Sequence, residues 1–346
     1  MVWSVQPNVT EAVRNVTEAS STDSGAAPIL VRQVRYLVGV AGRAPSLHNT
    51  QPWRFTVSGD EIKLYADASR QLTADPDGRE MVISCGAALY GLRLAVRSLG
   101  YLPEVELVPG PAGRALARVG LGEAMPMTSD ERKMLAAVPH RHTHRGPFEP
   151  GPLPAGLFAR LRDDARAEGA TLTEIDPGPI HDELMALVAA SGHDQDRDPR
   201  SRATTWWWSR DVTSTARDGV PAHAYPAVPA RKPGQLPQRD FDLGRDLGLL
   251  PVGGPAPAVT AVLATTGDSV NDWLCAGQAL YRLLLDAASH WVFASLNTQP
   301  LEDTATRALI RDRLGLLGAP QMLLALGVSR TAHPTARRPP DDLIGP

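Results

Sequence analysis

The segment from Arg43 to Trp53, with the sequence RAPSLHNTQPW, contains residue types that suit the binding of a polar heterocycle. It lies between a predicted helix and a predicted strand, and its two prolines restrict the backbone, which pre-orders a loop. Ser46, Asn49 and Gln51 supply small hydrogen-bond donors and acceptors for the edge of such a ring. From these residues alone, a proline-braced turn with Trp53 in the core is an equally good interpretation.

A second candidate segment, HRHTHRGPF, occupies residues 140–148. In an extended chain Arg141, Thr143 and Arg145 face one side and the three histidines face the other. Two guanidinium groups and a hydroxyl group on one side suit a phosphate. No carboxylate or cysteine accompanies the histidines at a useful spacing, so we predict no metal site. A solvated basic strand is the alternative interpretation.

Composition argues against several classes of protein. The 346 residues include 35 Lys and Arg against 38 Asp and Glu, a net charge of −3, which argues against a nucleic-acid-binding protein. Cys85 and Cys275 have no metal-ligand spacing and are too few for a disulfide framework, which fits a reducing cytoplasm. No apolar run predicts a membrane span, and the N-terminus does not resemble a signal peptide. We predict that residues 1–28, which are mostly polar, form a mobile tail.

Apolar periodicity predicts two long helices, at residues 79–99 and 270–288. Gly86 and Gly91 lie inside the first, and an interior glycine costs about 1 kcal/mol relative to alanine, so we expect close helix packing there. Each long helix contains a similar C-x-x-(x)-A-L-Y sequence, at Cys85 and at Cys275, which is a weak internal repeat. Shorter helices are predicted at 29–41, 129–137, 154–168, 180–190 and 304–314, and strands at 53–57, 62–65, 105–108, 115–119, 171–175, 259–265, 291–296 and 321–328.

The stretch from Ser191 to Pro257 is predicted to be irregular. It contains three adjacent tryptophans, Trp206–Trp208, and five prolines from Pro221 to Pro237. A loop of this length inside a compact domain is usually functional or disordered, and the tryptophans argue against disorder.

Both candidate segments resemble sequences of the nitroreductase-like flavoproteins. The first is similar to the family's A-P-S-x-x-N-x-Q-P-W-x-F, and residues 141–148 are similar to its opening R-x-S/T-x-R/K-x-F. Residues 320–327 resemble the last core strand, and residues 337–342 resemble the basic ending. The closest resemblance, over residues 29–346, is to the Acg-type branch of actinobacteria, whose chains carry two nitroreductase-like halves.

The resemblance implies an α+β fold of the nitroreductase type. In that family two subunits dimerise, and FMN lies at the interface between the arginine motif of one subunit and the ring-binding motif of the other. Here the ring motif occurs only in the first half, residues 29–138, and the arginine motif only in the second, residues 139–346. We therefore expect a single-chain pseudo-dimer with one FMN, in which a monomer suffices for function; further oligomerisation is left open.

Site residues follow from the resemblance position by position. It assigns the phosphate to Arg141, Thr143, Arg145 and one or both of Arg337 and Arg338. It assigns the isoalloxazine to Pro45, Ser46 and Asn49, and residues 299–302 resemble the segment that donates a backbone N–H to flavin N5. No catalytic side chain is predicted, and no G-x-G-x-x-G sequence indicates a separate dinucleotide site.

The resemblance implies an FMN-dependent oxidoreductase. It would transfer hydride from NAD(P)H, a transient co-substrate, to a small electron-poor acceptor such as a quinone or a nitroaromatic compound. The alternative is an FMN-sequestering protein with little turnover, in which residues 201–257 form a lid over the flavin. We expect at least one of Trp206–Trp208 near the ring, or else all three in the core between the halves. The partner expected is a small molecule, with no nucleic acid and no membrane.

Overall fold

The computed structural model describes residues 29–108, 114–228, 236–252 and 257–345. The predicted N-terminal tail lies outside these residues. Within them the helices are α1 (Ile29–Ala41), α2 (Arg79–Ser98), α3 (Ser129–Ala137), α4 (Leu157–Ala167), α5 (Pro179–Arg197), α6 (Pro199–Trp208), α7 (Val270–Ser289), α8 (Gln299–Glu302), α9 (Thr304–Arg313) and α10 (Pro340–Leu343).

The strands form two antiparallel four-stranded sheets and one short parallel pair. The first sheet has the order β1-β2-β4-β3 and the second the order β5-β8-β10-β9, while β6 pairs with β7. This mixture of helices and antiparallel sheets confirms the predicted α+β class. The strands are β1 (Trp53–Ser58), β2 (Glu61–Ala66), β3 (Tyr101–Leu107), β4 (Ala117–Ala124), β5 (Ala170–Glu174), β6 (Ser209–Arg210), β7 (Val220–Pro221), β8 (Val259–Thr265), β9 (Val292–Asn297) and β10 (Ala319–Val328).

The two long helices α2 and α7 cross at glycines. A β-carbon on Gly277 would overlap the carbonyl oxygen of Ile83, and one on Gly86 would overlap that of Leu274. Gly91, five residues further along α2, is also close-packed, because a β-carbon there would lie 3.0 Å from the α-carbon of Ala41 in α1 and 3.1 Å from the Tyr281 ring of α7. The expectation of close packing at Gly86 and Gly91 is confirmed.

The second helix of the crossing begins at a capping box. The hydroxyl of Ser269 accepts from the backbone N–H of Asp272, and the Asp272 carboxylate accepts from the N–H of Ser269 at 2.9 Å. This exchange satisfies two N–H groups that the first turn of a helix leaves free. It fixes the start of α7, and with it the position of Gly277 at the crossing.

The stretch from Ser191 was predicted to be irregular, and this was wrong for residues 191–208. Helix α5 continues to Arg197, and Asp198 caps α6 by accepting from the N–H groups of Arg200 and Ser201. Pro199 stands at the first helical position, where its missing N–H costs nothing. These helical turns are largely exposed, so most of their residues are polar or charged. The apolar periodicity that predicts a helix is therefore absent from this part of the sequence.

The three tryptophans end α6 and do not fill a core between the halves. Trp206 and Trp207 are 55% and 71% exposed. The guanidinium of Arg245 lies 4.4 Å from the centre of the Trp206 ring. Only Trp208 is buried, beneath the guanidinium groups of Arg70 and Arg210.

Residues 140–148 run beside β9, where Thr143 forms a parallel bridge with Ala294. The predicted alternation is confirmed around Thr143, because His142 and His144 turn to the opposite side and pack on Phe293 and Phe148. His142 is 4% exposed, and burial lowers its pKa to about 3. It is therefore neutral in the folded protein at neutral pH.

The crossing predicts the effect of Gly277→Ala. The new methyl group would push the helices apart, so we expect a loss of about 2 kcal/mol or more in the free energy of unfolding, measured by urea denaturation. The control is Gly192→Ala in α5, where the nearest atom is a side-chain nitrogen of Gln299 at 3.9 Å. It should leave stability unchanged or raise it by up to about 1 kcal/mol. Equal effects of the two substitutions would contradict the account of the crossing.

His142 makes the stability depend on pH. Its pKa is lower in the folded chain than in the unfolded chain, so its contribution is complete above about pH 6.5 and is lost as pH falls toward about 3. His142→Gln, which cannot titrate, should reduce the slope of unfolding free energy against pH by up to about 1.4 kcal/mol per unit in that window. At pH 8, where His142 is neutral in both states, the difference in unfolding free energy between wild type and variant measures the change in packing alone. If the slope between about pH 3 and pH 6.5 is the same in both proteins, His142 is not the titrating group.

Candidate functional site

A cavity lies beside the helix crossing. The space between its lining atoms is about 800 Å³, part of which is open solvent. Ile83, Ser84 and Ala87 of α2 form one wall, with Leu280 of α7 and Met322 of β10. The end of β9 and the residues that follow it form another wall, made of Ser295, Leu296, Asn297, Thr298 and Gln299.

The first candidate segment borders this cavity through Pro45, Ser46, Leu47 and His48. Its backbone is strained: φ is +49° at His48, +56° at Asn49 and +52° at Gln51, in the left-handed region that side chains disfavour. Trp53 is fully buried at the start of β1, so the proline-braced turn is also present.

Side chains of the segment hold that strained turn in place. The hydroxyl of Ser46 accepts from the N–H of Gln51 at 3.0 Å. The Gln51 amide donates to the carbonyl oxygen of Arg217 at 2.8 Å and accepts from the N–H of Arg338 at 2.8 Å. The turn is thus fixed by chain segments that are distant in sequence.

Asn49 is the predicted ring-binding residue that does not line the cavity. Its amide nitrogen donates to the carbonyl oxygens of Gly219, at 2.9 Å, and Ala336, at 3.1 Å. Both amide hydrogens therefore join the turn to the residues after α6 and to the C-terminal tail.

The second candidate segment borders the same cavity through Thr143 and Arg145. The guanidinium of Arg145 lies 5.0 Å from the centre of the Phe241 ring. Burial lowers the pKa of Arg145 to about 10, which leaves it charged at neutral pH. The two segments, more than 90 residues apart in sequence, therefore meet at one cavity.

Arg141 and Arg337 form a separate pair at the N-terminal end of the first segment. Arg141 donates to the carbonyl oxygen of Arg43 at 3.2 Å, and Arg337 donates to that of Ala44 at 3.1 Å. Nε and Nη1 of Arg141 and Nε of Arg337 are buried without a hydrogen-bond partner in the described residues. Burial lowers the pKa of Arg337 to about 9, and the nearby Arg141 adds to this shift.

This pair suits an anion. Neither guanidinium forms an ion pair with a carboxylate within the part of the chain that is described, and buried charges without a counter-ion are costly. Arg338 faces elsewhere and donates to the carbonyl oxygen of Asp342 at 2.5 Å. The sequence does not distinguish between Arg337 and Arg338 for the phosphate. In the structure, Arg337 is the one that lies beside Arg141.

Sequence reasoning did not place Glu80, His48 or Arg239 in the cavity wall, although all three line it. Burial, followed by the charge of Glu302, raises the pKa of Glu80 to about 8. His48 is 4% exposed, and neither of its ring nitrogens has a hydrogen-bond partner among the described residues. Burial, followed by Arg239 and Arg145, lowers its pKa, so His48 is neutral. An acid in the first turn of a helix is common, and the sequence carries no signal that Glu80 faces a cavity.

The segment between α6 and β8, here called the connecting segment, also reaches the cavity. Gln238, Arg239 and Phe241 line it, and Arg239 forms an ion pair with Glu302 at 2.6 Å. None of Trp206–Trp208 is among the lining residues of this cavity, and a tryptophan near the ring stays a prediction. The exposed end of α6 directs Trp206 and Trp207 to solvent instead.

Within the described residues, no helix combines the length and apolar character that a membrane crossing requires.

Comparison with known proteins gives sequence relatives. No family model matches the chain. It is 35% identical over 300 residues to “Putative NAD(P)H nitroreductase Rv3131” of Mycobacterium tuberculosis H37Rv, covering 85% of this chain and 84% of the relative. It is 28% identical over 317 residues to “Putative NAD(P)H nitroreductase acg” of the same organism, covering 90% and 95%.

Among solved structures, a nitroreductase of Anabaena variabilis aligns with a TM-score of 0.42 and 11% identity, covering 92% of this chain and 91% of that one. A nitroreductase of Desulfitobacterium hafniense with bound FMN aligns with a TM-score of 0.38 and 13% identity, covering 62% and 97%. The assignment rests on the sequence relatives, whose similarity extends over both candidate segments. The chain belongs to the nitroreductase-like family, in the branch that contains Rv3131 and Acg.

Proposed function

We propose that this nitroreductase-type oxidoreductase binds one FMN per chain and uses NAD(P)H to reduce a small electron-poor acceptor of the quinone or nitroaromatic class. One observation carries the proposal. Pro45 and Ser46 of the ring-binding segment border the same cavity as Thr143 and Arg145 of the phosphate-binding segment. Each segment occurs once in the chain, so one complete site can form.

The residues present fit FMN. Arg141 and Arg337 have buried, unpartnered guanidinium nitrogens beside the start of the ring-binding segment, where a phosphate would supply the missing acceptors. Arg145 and Thr143 border the cavity rather than joining that pair, so we assign them to the part of the cofactor inside the cavity. We assign Pro45 and Ser46, which lie just before the strained turn, to the ring.

The chemistry that FMN supplies when bound is hydride transfer between a nicotinamide and an acceptor. The protein binds and orients these reactants. Ile83, Ala87, Leu280 and Met322 give the cavity an apolar wall against which a ring can pack.

The test is FMN affinity of the apo-protein, measured by titration. Arg141→Ala and Arg337→Ala should each weaken FMN binding by about 1.5–3 kcal/mol, the range for hydrogen bonds to charged groups. Riboflavin, which lacks the phosphate, should bind almost equally to wild type and variants. Arg338→Ala is the matched control and should leave FMN affinity nearly unchanged. Equal losses for FMN and riboflavin would mean that these arginines act through folding.

A second candidate function is flavin sequestration with little turnover. It is favoured by Phe241, which is 4% exposed, lies in the cavity wall, and contacts the ring of His48 edge-on at 5.2 Å. A side chain of the connecting segment packed into the cavity could limit access of the acceptor.

Phe241→Ala distinguishes the two functions. If the protein sequesters flavin, the flavin of the variant should be reduced by NAD(P)H and reoxidised by a quinone at least about tenfold faster than that of wild type. A tenfold gain corresponds to lowering the activation barrier of each step by about 1.4 kcal/mol. If it is an oxidoreductase, wild type should turn over readily and the variant should gain nothing. Stopped-flow absorbance of the bound flavin measures both steps. Trp207→Leu, at an exposed ring outside the cavity, is the control.

A further inference from the structure

The cavity wall contains one carboxyl group with an unused oxygen. Glu80 lies in the first turn of α2, is 4% exposed, and lines the cavity. Its Oε1 accepts from Arg79 at 2.9 Å. Its Oε2 is buried and has no hydrogen-bond partner among the described residues. Because an unsatisfied buried oxygen is costly, this atom is available to a ligand in the cavity.

The neighbouring carboxyl groups are already engaged. Asp75 accepts from the N–H groups of Glu80 and Met81, at 3.1 and 2.8 Å. Glu302 accepts from Arg239 and Gln195, both at 2.6 Å. Both oxygens of Asp75 and both oxygens of Glu302 thus accept hydrogen bonds, whereas, within the described residues, Oε2 of Glu80 is left free to carry a proton.

Charged groups face Glu80 from several elements. Besides Arg79 on its own helix, they are Asp75 in the preceding loop, Glu302 on α8, Arg239 on the connecting segment and Arg307 on α9. Burial and Glu302 raise the pKa of Glu80 to about 8, while Arg79 and Arg239 oppose this. Burial and Glu302 therefore favour the protonated form of Glu80, against the ion pair with Arg79 at 2.9 Å.

Other titratable groups in the cavity wall cannot release a proton there. Burial lowers the pKa of His48, which leaves it neutral. The pKa of Arg145 is still about 10, so it keeps its charge, and Arg239 is paired with Glu302 at 2.6 Å. Among the described lining residues, Glu80 is therefore the one side chain suited to general acid catalysis near pH 7.

We propose that Glu80 is the catalytic proton donor to the acceptor. This inference rests on the proposed function. A quinone becomes a hydroquinone by taking up one hydride and one proton. The hydride comes from NAD(P)H by way of the bound flavin, and the proton comes from Oε2 of Glu80. The O–H bond of Glu80 breaks as an O–H bond forms on the quinone, and the carboxylate that remains is paired with Arg79 until solvent returns the proton.

The first test is Glu80→Gln, which keeps the shape and cannot donate a carboxylic proton. The enzyme is reduced anaerobically with NADPH and mixed with a quinone in a stopped-flow instrument. The acceptor step should slow by about 10²–10⁴-fold, the usual contribution of a general acid, while flavin reduction by NADPH stays nearly unchanged. In wild type the acceptor step should slow above about pH 8, and in the variant it should not depend on pH there. Glu183→Gln, at a half-exposed acid on α5, is the control.

The second test does not use activity. Infrared spectra of the apo-protein should contain a protonated carboxyl band that disappears as pH rises through about 8 and is absent from Glu80→Gln. Glu302→Gln keeps the size of the side chain and one acceptor oxygen, and it removes a negative charge. It should move both the band and the kinetic break to lower pH, which a purely structural role would not do.

The outcomes distinguish failure of the proposed function from failure of the proposed role of Glu80. A protein that binds no FMN, or whose flavin NAD(P)H does not reduce, contradicts the proposed function. Normal reduction, together with an unaltered acceptor step in Glu80→Gln, overturns the role of Glu80 alone. If Glu80→Gln does not fold, Glu302→Gln tests the role of Glu80 instead. A pH dependence of the acceptor step that is the same in Glu302→Gln as in wild type also overturns the proposal.

Discussion

The close crossing of α2 and α7 at Gly86 and Gly277 is the constraint on which the rest of the structure depends. Backbone meets backbone there, and a single β-carbon at Gly277 would collide with the carbonyl oxygen of Ile83. The two sheets are held on either side of this contact. The cavity lies beside it, because α2 contributes Ile83, Ser84 and Ala87 to the wall from the turns on either side of Gly86.

The charges indicate which arginines are structural and which suit a ligand. Arg282 pairs with Asp164 and Glu168 at 2.8 and 3.0 Å, and Arg239 pairs with Glu302 at 2.6 Å, so these side chains are satisfied by the protein itself. Two buried nitrogens of Arg141 have no hydrogen-bond acceptor among the residues that the structure describes. A protein tolerates such a group only when another interaction offsets its desolvation, and an anionic ligand would do so.

Sequence patterns predicted most of the fold, and four of the eight predicted site residues line the cavity. Apolar periodicity located α1 and β8 to the residue, and alternation around Thr143 placed His142 and His144 on the side opposite the cavity. The start of β3 at Tyr101 was missed because Pro103 interrupts the pattern, which an edge strand tolerates.

What the sequence did not reveal depends on tertiary contacts. Glu80 faces the cavity because α2 turns that side toward β9 and the connecting segment, and no local pattern marks it. The three tryptophans of α6 do not line the cavity. Phe241, in the connecting segment, is the aromatic residue from this part of the chain that does. The separation of Arg145 from the pair of Arg141 and Arg337 depends on the path of the C-terminal tail, which meets the first segment only in the folded chain.

The central claim is that the two halves of one chain together build one flavin site. The most direct measurement is the amount of FMN per chain in the purified protein, counted from the absorbance of released flavin, with the molecular mass in solution determined on the same sample. The account predicts one FMN per chain, retained by the monomer on dilution. Two FMN per chain, or flavin that is lost when a dimer dissociates, would contradict it.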